Sequence, residues 1–223
     1  MKSTPPWFPP LHTATEDGLL MIGGQLTVDW LLAAYRQGIF PWPCVLPERE
    51  VLAWFSPDPR AIIELPAFHA SRRLQRRLRR REFRLTINES FSQVIGACAE
   101  PRGDGGVWIT ADLWAAYEQL HEAGHAHSVE AWQDGSLVGG VFGMALGGYF
   151  AAESMFHRCR DASKAALCHL VEHLGARGHS LLDIQVMSEH CASLGASEIP
   201  RDQFLRRLHT ALASPTSFLP RQI

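Results

Sequence analysis

Three strand-like runs at residues 127–132, 136–146 and 149–154 follow one another with only short turns between them, which reads as an antiparallel meander. A helical pattern over 163–177, a strand over 181–185 and a final helix over 201–213 come next. A meander followed by helix, strand and helix is an α+β pattern, and it fits a central mixed sheet. No internal repeat or low-complexity tract interrupts it.

The strands end in polar residues. Glu153-Ser154-Met155-Phe156 closes one apolar run, Asp183-Ile184-Gln185 closes the next, and Ser193-Leu194-Gly195-Ala196 follows. Polar groups carried out of a buried sheet at strand ends are where such proteins usually place their chemistry. Along 181–185, alternation puts Asp183 and Gln185 on one face and Leu182 and Ile184 on the other, so two polar groups can converge on one substrate. The carboxylate of Glu153, set among apolar neighbours, loses hydration and favours a cationic partner, with an ion pair to Arg158 as the plain alternative.

Upstream, Pro5, Pro6, Pro9 and Pro10 predict an extended opening segment on the surface. Residues 18–24 supply a short strand and turn. Thr27 is an N-cap for a helix through Tyr35, with Val28, Leu31, Leu32 and Tyr35 at helical spacing and Gly38 as its stop. Pro57-Asp58-Pro59 interrupts secondary structure and divides a small N-terminal domain, 1–58, from a larger one, 59–223. The larger part opens with a strand at 61–65, a helix at 71–81, a strand at 84–87 and helices at 91–99 and 111–123.

With 46% hydrophobic and 20% charged residues, 223 residues can bury a substantial core. A net charge of −2 does not by itself point to nucleic acid, yet Arg72, Arg73, Arg76, Arg77, Arg79, Arg80, Arg81 and Arg84 crowd one segment with only Glu82 as an acid among them. Arg72, Arg76 and Arg79 or Arg80 recur at helical spacing and can meet successive phosphates, predicting strong salt sensitivity and little base readout. The plain alternative is a solvated basic helix.

Five cysteines, at 44, 98, 159, 168 and 191, form no C-x-x-C pair, so neither a disulfide framework nor a zinc knuckle is expected. The pairs His125/His127 and His169/His173 lack a third ligand at metal-site spacing, so no metal is expected. The Pro-rich start has no signal-peptide pattern and no apolar run is long enough to span a bilayer, which gives the expectation of a cytoplasmic protein with no membrane partner.

Beyond these physical readings, a set of ordered landmarks carries a family likeness: Gly38-Ile39-Phe40-Pro41-Trp42, Trp54-Phe55-Ser56-Pro57-Asp58-Pro59-Arg60, Trp108-Ile109-Thr110, His125 to Trp132, Glu153 to Phe156, Ser163-Lys164, Asp183 to Gln185 and His190 to Ala196. Taken together they span about residues 18–208, and the chain resembles the leucyl/phenylalanyl-tRNA–protein transferases. The resemblance implies a GNAT-like acyltransferase fold in the larger domain and no cofactor. It implies transfer of leucine or phenylalanine, and less well methionine, from aminoacyl-tRNA to proteins with N-terminal Arg or Lys, marking them for degradation. A monomer is expected.

By that resemblance, Glu153 helps hold the incoming N-terminal residue, while Asp183 and Gln185 orient and deprotonate its α-amine. A neutral amide can align an amine but cannot store its proton, so final acceptance falls to Asp183, water or the 2′-hydroxyl of the terminal adenosine. Val141, Phe150 and Leu170 match positions lining an apolar aminoacyl pocket, with Ser154 beside it, and Trp42 and Trp108 are candidates for stacking on the adenosine. Apolar residues on strands are otherwise simply core. The pattern departs from the family at Phe55, where a second tryptophan is common, and at Leu170, where an aromatic is frequent.

The start of the helix at Ser163-Lys164 offers N–H groups to an anion. An acetyl-CoA-dependent N-acetyltransferase is the first alternative, opposed by the absence of glycine from Arg160-Asp161-Ala162-Ser163-Lys164-Ala165. A non-catalytic RNA-binding module is the second.

Overall fold

The computed structural model describes residues 5–46, 49–101 and 108–220. The chain forms β1 (Leu19–Ile22), α1 (Val28–Arg36), β2 (Phe40–Pro41), β3 (Cys44–Leu46), β4 (Arg49–Val51), β5 (Ala53–Phe55), β6 (Arg60–Ile63), α2 (Arg72–Arg79), β7 (Arg84–Ile87), α3 (Phe91–Ala99) and α4 (Ala111–Glu122). Then come β8 (Ala126–Gln133), β9 (Ser136–Leu146), β10 (Tyr149–His157), α5 (Ala162–Arg177), β11 (Leu181–Gln185), α6 (Glu189–Ala192), β12 (Ala196–Ile199) and α7 (Arg201–Leu212). The α+β expectation with a mixed sheet holds. Seven strands run in the order β12-β6-β11-β10-β9-β8-β7, with β10 and β11 parallel and the other neighbours antiparallel. A three-stranded sheet, β1-β5-β2, and the β3–β4 hairpin come from the first 55 residues.

Local chemistry explains the element ends. Thr27 Oγ1 accepts from Trp30 N at 3.3 Å, Ser71 Oγ from Leu74 N and Thr110 Oγ1 from Leu113 N, both at 3.2 Å. Each such cap is worth about 0.5–2 kcal/mol. Gly38 sits at φ +74° beyond α1, where a Cβ would meet Leu205 at 2.9 Å and Phe204 at 3.1 Å, so only glycine lets α7 pack there.

Two apolar layers cover the large sheet. One unites Trp30, Leu31, Tyr35, Phe40 and Trp54 of the N-terminal segment with α3, α4, α7 and the sheet residues Phe142, Tyr149 and Leu181. The other sits under α5 and α2 and includes Val141, Phe150, Leu167, Leu170, Leu182 and Phe218. Residue 58 lies between β5 and β6, and the segments on either side of it share one core.

Several sequence expectations need correction. Phe8 of the Pro-rich opening does not lie on the surface. It is 7% exposed and meets Trp30 and Trp54 edge-on at 5.4 and 5.0 Å, because two buried indoles offer more apolar contact than solvent does; residues 1–4 of that opening lie outside the described residues. The strand expected at 61–65 occupies 60–63, and Leu65–Ala67 forms a 3₁₀ turn at Pro66. The stretch 190–196 contains the end of α6 and the start of β12. Among the described residues no helix is long and apolar enough to cross a membrane.

Candidate active site

Two β-bulges build the site. On β10 the register passes from Ala152↔Gly143 to Ser154↔Phe142, leaving Glu153 as the extra residue. Gly143 permits this close approach, since a Cβ there would lie 2.1 Å from the Ala151 carbonyl oxygen. On β11 the register passes from Asp183↔Ile62 to Gln185↔Ala61, and Gln185 takes a left-handed conformation at φ 67°. The parallel ladder between β10 and β11 runs from Tyr149↔Leu181 to Ala151↔Asp183 and goes no further. A pocket of about 150 Å³ opens beyond it, at the carboxyl end of β11 and beside the bulge of β10, lined by Phe40, Pro41, Trp42, Trp108, Glu153, Ile184, Gln185 and Val186.

Glu153 and Gln185 face each other across that opening. Gln185 Nε2 lies 3.0 Å from both Glu153 oxygens. An amide that donates its NH₂ to a carboxylate turns its own oxygen away, so Oε1 of Gln185 is left to accept from another donor. Burial pushes the Glu153 carboxyl up to about 7, although hydrogen bonds from Gln185, Tyr35 and Tyr117 stabilise its charged form. The Tyr35 and Tyr117 hydroxyls, from α1 and α4, are 2.5 Å apart. Burial holds both far above the ordinary phenol range, and they stay neutral.

Asp183 is fully buried and does not line the pocket. Its Oδ1 accepts from Arg60 Nε at 2.8 Å and from Gln185 N at 2.8 Å; its Oδ2 accepts from Arg60 Nη2 at 2.7 Å and from the Tyr149 hydroxyl at 2.7 Å. Four donors fill the roughly four lone-pair sites of a carboxylate. Of the three proton acceptors open on the sequence, Asp183, water and the 2′-hydroxyl, Asp183 is left with no free lone pair for the amine proton. Its bond to Gln185 N instead fixes a left-handed residue, a conformation that costs of order 1–3 kcal/mol without such support. Arg60 is 1% exposed, donates also to the Gly38 carbonyl at 3.1 Å, and lies between the rings of Phe40 and Phe204 at 4.7 and 4.6 Å.

The structure thus brings together Trp42, Trp108, Glu153 and Gln185, with the two indole centroids 6.1 Å apart and Trp42 40% exposed. Ser154 is half-buried at the bulge. Val141, Phe150 and Leu170 meet in the layer under α5, each no more than 1% exposed, and the pocket does not reach them. The expected deep apolar cavity is corrected to a close-packed layer, as apolar side chains fill one another's space. Ile184 belongs to both, lining the pocket and packing against that layer. A larger depression of about 430 Å³ lies at the other end of the strands, by Gly147 and the C-terminal segment, and contains none of these residues.

The arginine cluster divides. Arg72, Arg73, Arg76, Arg79, Arg80 and Arg81 are exposed, while Leu74 points inward. Arg77 is turned in, paired with Glu82 at 2.7 Å and Asp161 at 3.1 Å and lying over the Phe83 ring at 4.6 Å, so it is corrected from surface phosphate ligand to internal tie. Arg73 also approaches Asp161, at 3.5 Å. Ser163 is buried, and the first turn of α5 packs against Gly139, which removes the open anion site expected there. Arg158, the alternative partner for Glu153, pairs with Glu100.

Sequence reasoning missed Arg60, Tyr149, Tyr35 and Tyr117. Arg60 stands inside a landmark but carries no local sign of burial. A tyrosine at a core-facing helical position, as Tyr35 is, was the available signal, since its hydroxyl needs a partner once buried.

A profile described as leucyl/phenylalanyl-tRNA protein transferase matches residues 62–209, and one for the N-terminal domain of the same proteins matches 24–58. The leucyl/phenylalanyl-tRNA–protein transferase of Syntrophotalea carbinolica is 49% identical over 216 residues, covering 96% of this chain and 93% of its own. That of Aromatoleum aromaticum is 50% identical over 202 residues, covering 89% and 84%. Among solved structures, a ribosomal-protein-alanine N-acetyltransferase from Brucella melitensis aligns over 63% of this chain and 97% of its own, at 18% identity and a TM-score of 0.36.

Proposed function

The chain belongs to the leucyl/phenylalanyl-tRNA–protein transferase family, and from that premise we propose that the pocket between Glu153 and Gln185 is where an acceptor amine meets the ester of an aminoacyl-tRNA. The enzyme is an aminoacyltransferase that moves an amino acid from tRNA to a protein. An aminoacyl ester is already activated, so aminolysis needs positioning and charge stabilisation more than a nucleophile from the protein. The observation that carries the reading is the paired bulges, which aim Glu153 and Gln185 at one opening beside Trp42 and Trp108.

Leucine or phenylalanine, and less well methionine, is the group transferred, with its side chain resting against Ile184 at the pocket wall. The pocket is smaller than the 300–1,000 Å³ usual for a whole ligand, so only the reacting end enters and the adenine stacks outside on Trp42 or Trp108. Oε1 of Gln185 aligns the incoming α-amine. The Glu153 carboxylate favours the cationic N-terminus of acceptors that begin with Arg or Lys, and the added residue marks them for degradation. The exposed arginines of α2 attract the tRNA backbone. The enzyme acts as a monomer without a cofactor, in the cytoplasm.

The test is transfer of labelled leucine from charged tRNA to a peptide beginning with arginine, beside an acetyl-capped peptide and an acetyl-CoA assay. Transfer to the free terminus alone is the expected result. Acetylation without aminoacyl transfer would overturn the donor assignment.

A further inference from the structure

We propose that Glu153 is the proton acceptor for the attacking amine, and that the Tyr35–Tyr117 hydroxyl pair is the positioning device that lets it take and release that proton. The proposal deepens the reading above and rests on it. Asp183 has no lone pair to spare. Glu153 is the carboxylate that lines the pocket, and Gln185, in the same lining, donates its NH₂ to it and keeps its own oxygen for another donor.

The groups around Glu153 come from every element packed against it: Tyr35 from α1, Tyr117 from α4, Gln185 and Asp183 from β11, with Arg60 of β6 and Tyr149 of β10 behind Asp183. The Arg60 cation is held by Asp183 in an ion pair, and burial outweighs the attraction it exerts on Glu153. Burial leaves the Glu153 carboxyl near 7, where a proton is both taken and returned at neutral pH. The tyrosines are neutral throughout. A phenol hydroxyl donates to the carboxylate, and its oxygen accepts from the carboxylic acid once the proton has arrived.

An N–H bond of the acceptor ammonium breaks and its proton joins a Glu153 oxygen, while the electron pair stays on nitrogen and attacks the ester carbon. The C–N bond forms, the bond from carbon to the tRNA ribose oxygen breaks, and that oxygen takes the second nitrogen-bound proton. Glu153 then returns its proton to water.

The experiment is the pH profile of kcat/KM for leucine transfer to one arginine-starting peptide, for the wild-type enzyme, Glu153→Gln, Tyr117→Phe and Tyr35→Phe. Because the peptide is common to all, its own amine titration cancels in the comparison. One hydroxyl proton bridges the tyrosine pair and the other is left for the carboxylate, so one Tyr→Phe change removes the direct bond to Glu153 and the other removes the bond that supports it. Each should move the acid limb upward by about half to one pH unit and recover to within about twofold of wild type on the alkaline plateau. Glu153→Gln should lose that limb and fall about 10²–10⁴-fold in kcat with tRNA affinity retained.

A Tyr→Phe loss that is the same at every pH would leave the hydroxyls a packing role and overturn their part. Glu153→Gln at more than one-tenth of wild-type kcat would overturn the acceptor assignment, and this variant decides even if the tyrosine variants fail to fold. Absence of transfer by the wild-type enzyme would instead overturn the underlying reading.

Discussion

Replacing Arg60 with methionine should be among the most damaging single changes in this protein, and its size follows from the geometry. Arg60 and Asp183 are 1% and 0% exposed and share two hydrogen bonds of 2.8 and 2.7 Å. Methionine keeps much of the contact with Phe40 and Phe204 but leaves a carboxylate in the core with only Tyr149 and Gln185 N as donors. Breaking a buried pair from one side costs about 3–5 kcal/mol. For a chain of this length that lowers the melting temperature by roughly 6–20 °C. Urea unfolding of Arg60→Met, Asp183→Leu and the double variant measures the coupling. The double variant should recover at least about 2 kcal/mol relative to the sum of the singles, because neither charge is then orphaned. Additive losses, or an Arg60→Met cost under about 1 kcal/mol, would refute the view of the pair as one buried unit.

Glu153→Gln gives a stability signature separate from catalysis. The folded chain keeps the Glu153 proton up to about pH 7, while the unfolded chain loses it near 4.5, so stability falls as pH rises through that window. The glutamine variant, which escapes this loss, should gain about 2–3 kcal/mol on wild type between pH 5 and pH 8, read by urea unfolding at each pH. Removing Arg72, Arg76 or Arg79 should each reduce the log–log salt slope of tRNA binding by about 0.7–0.9, measured by filter binding; Arg77→Ala, which cuts internal ties to Glu82 and Asp161, should lower the melting temperature instead. Phe218→Ala should cost about 3–5 kcal/mol in urea unfolding, since the ring is 3% exposed, stacks on His127 at 4.1 Å and packs against Phe150 at 5.4 Å.

What the sequence reveals and conceals here has physical reasons. The elements at 84–87, 91–99, 136–146 and 181–185 are legible to the residue because their apolar periods are clean and turn residues bound them. The β3–β4 hairpin, α6 and β12 are not, being three or four residues long with little periodicity. Alternation along β11 points Asp183 and Gln185 to one face, but what separates their roles is Arg60, whose proximity to Asp183 depends on β6 pairing beside β11. Eight clustered arginines look alike as letters. Only the turn that carries Arg77 back to Glu82 and Asp161 sets it apart from its exposed neighbours.

The position of β6 has a consequence for how the chain is made. Synthesis delivers Arg60 early, but β6 lies between β11 and β12, both of which follow residue 180. Until they leave the ribosome, this strand has two open edges and its arginine lacks its counter-ion, a state that long-range pairing makes slow to resolve. A nascent chain interrupted anywhere before Asp183 therefore has only the Gly38 carbonyl and the Phe40 ring to set against Arg60, and no counter-ion for its charge. The buried ion pair and the aim of Gln185 depend on the same late-made strand, β11, so a chain that lacks it has neither.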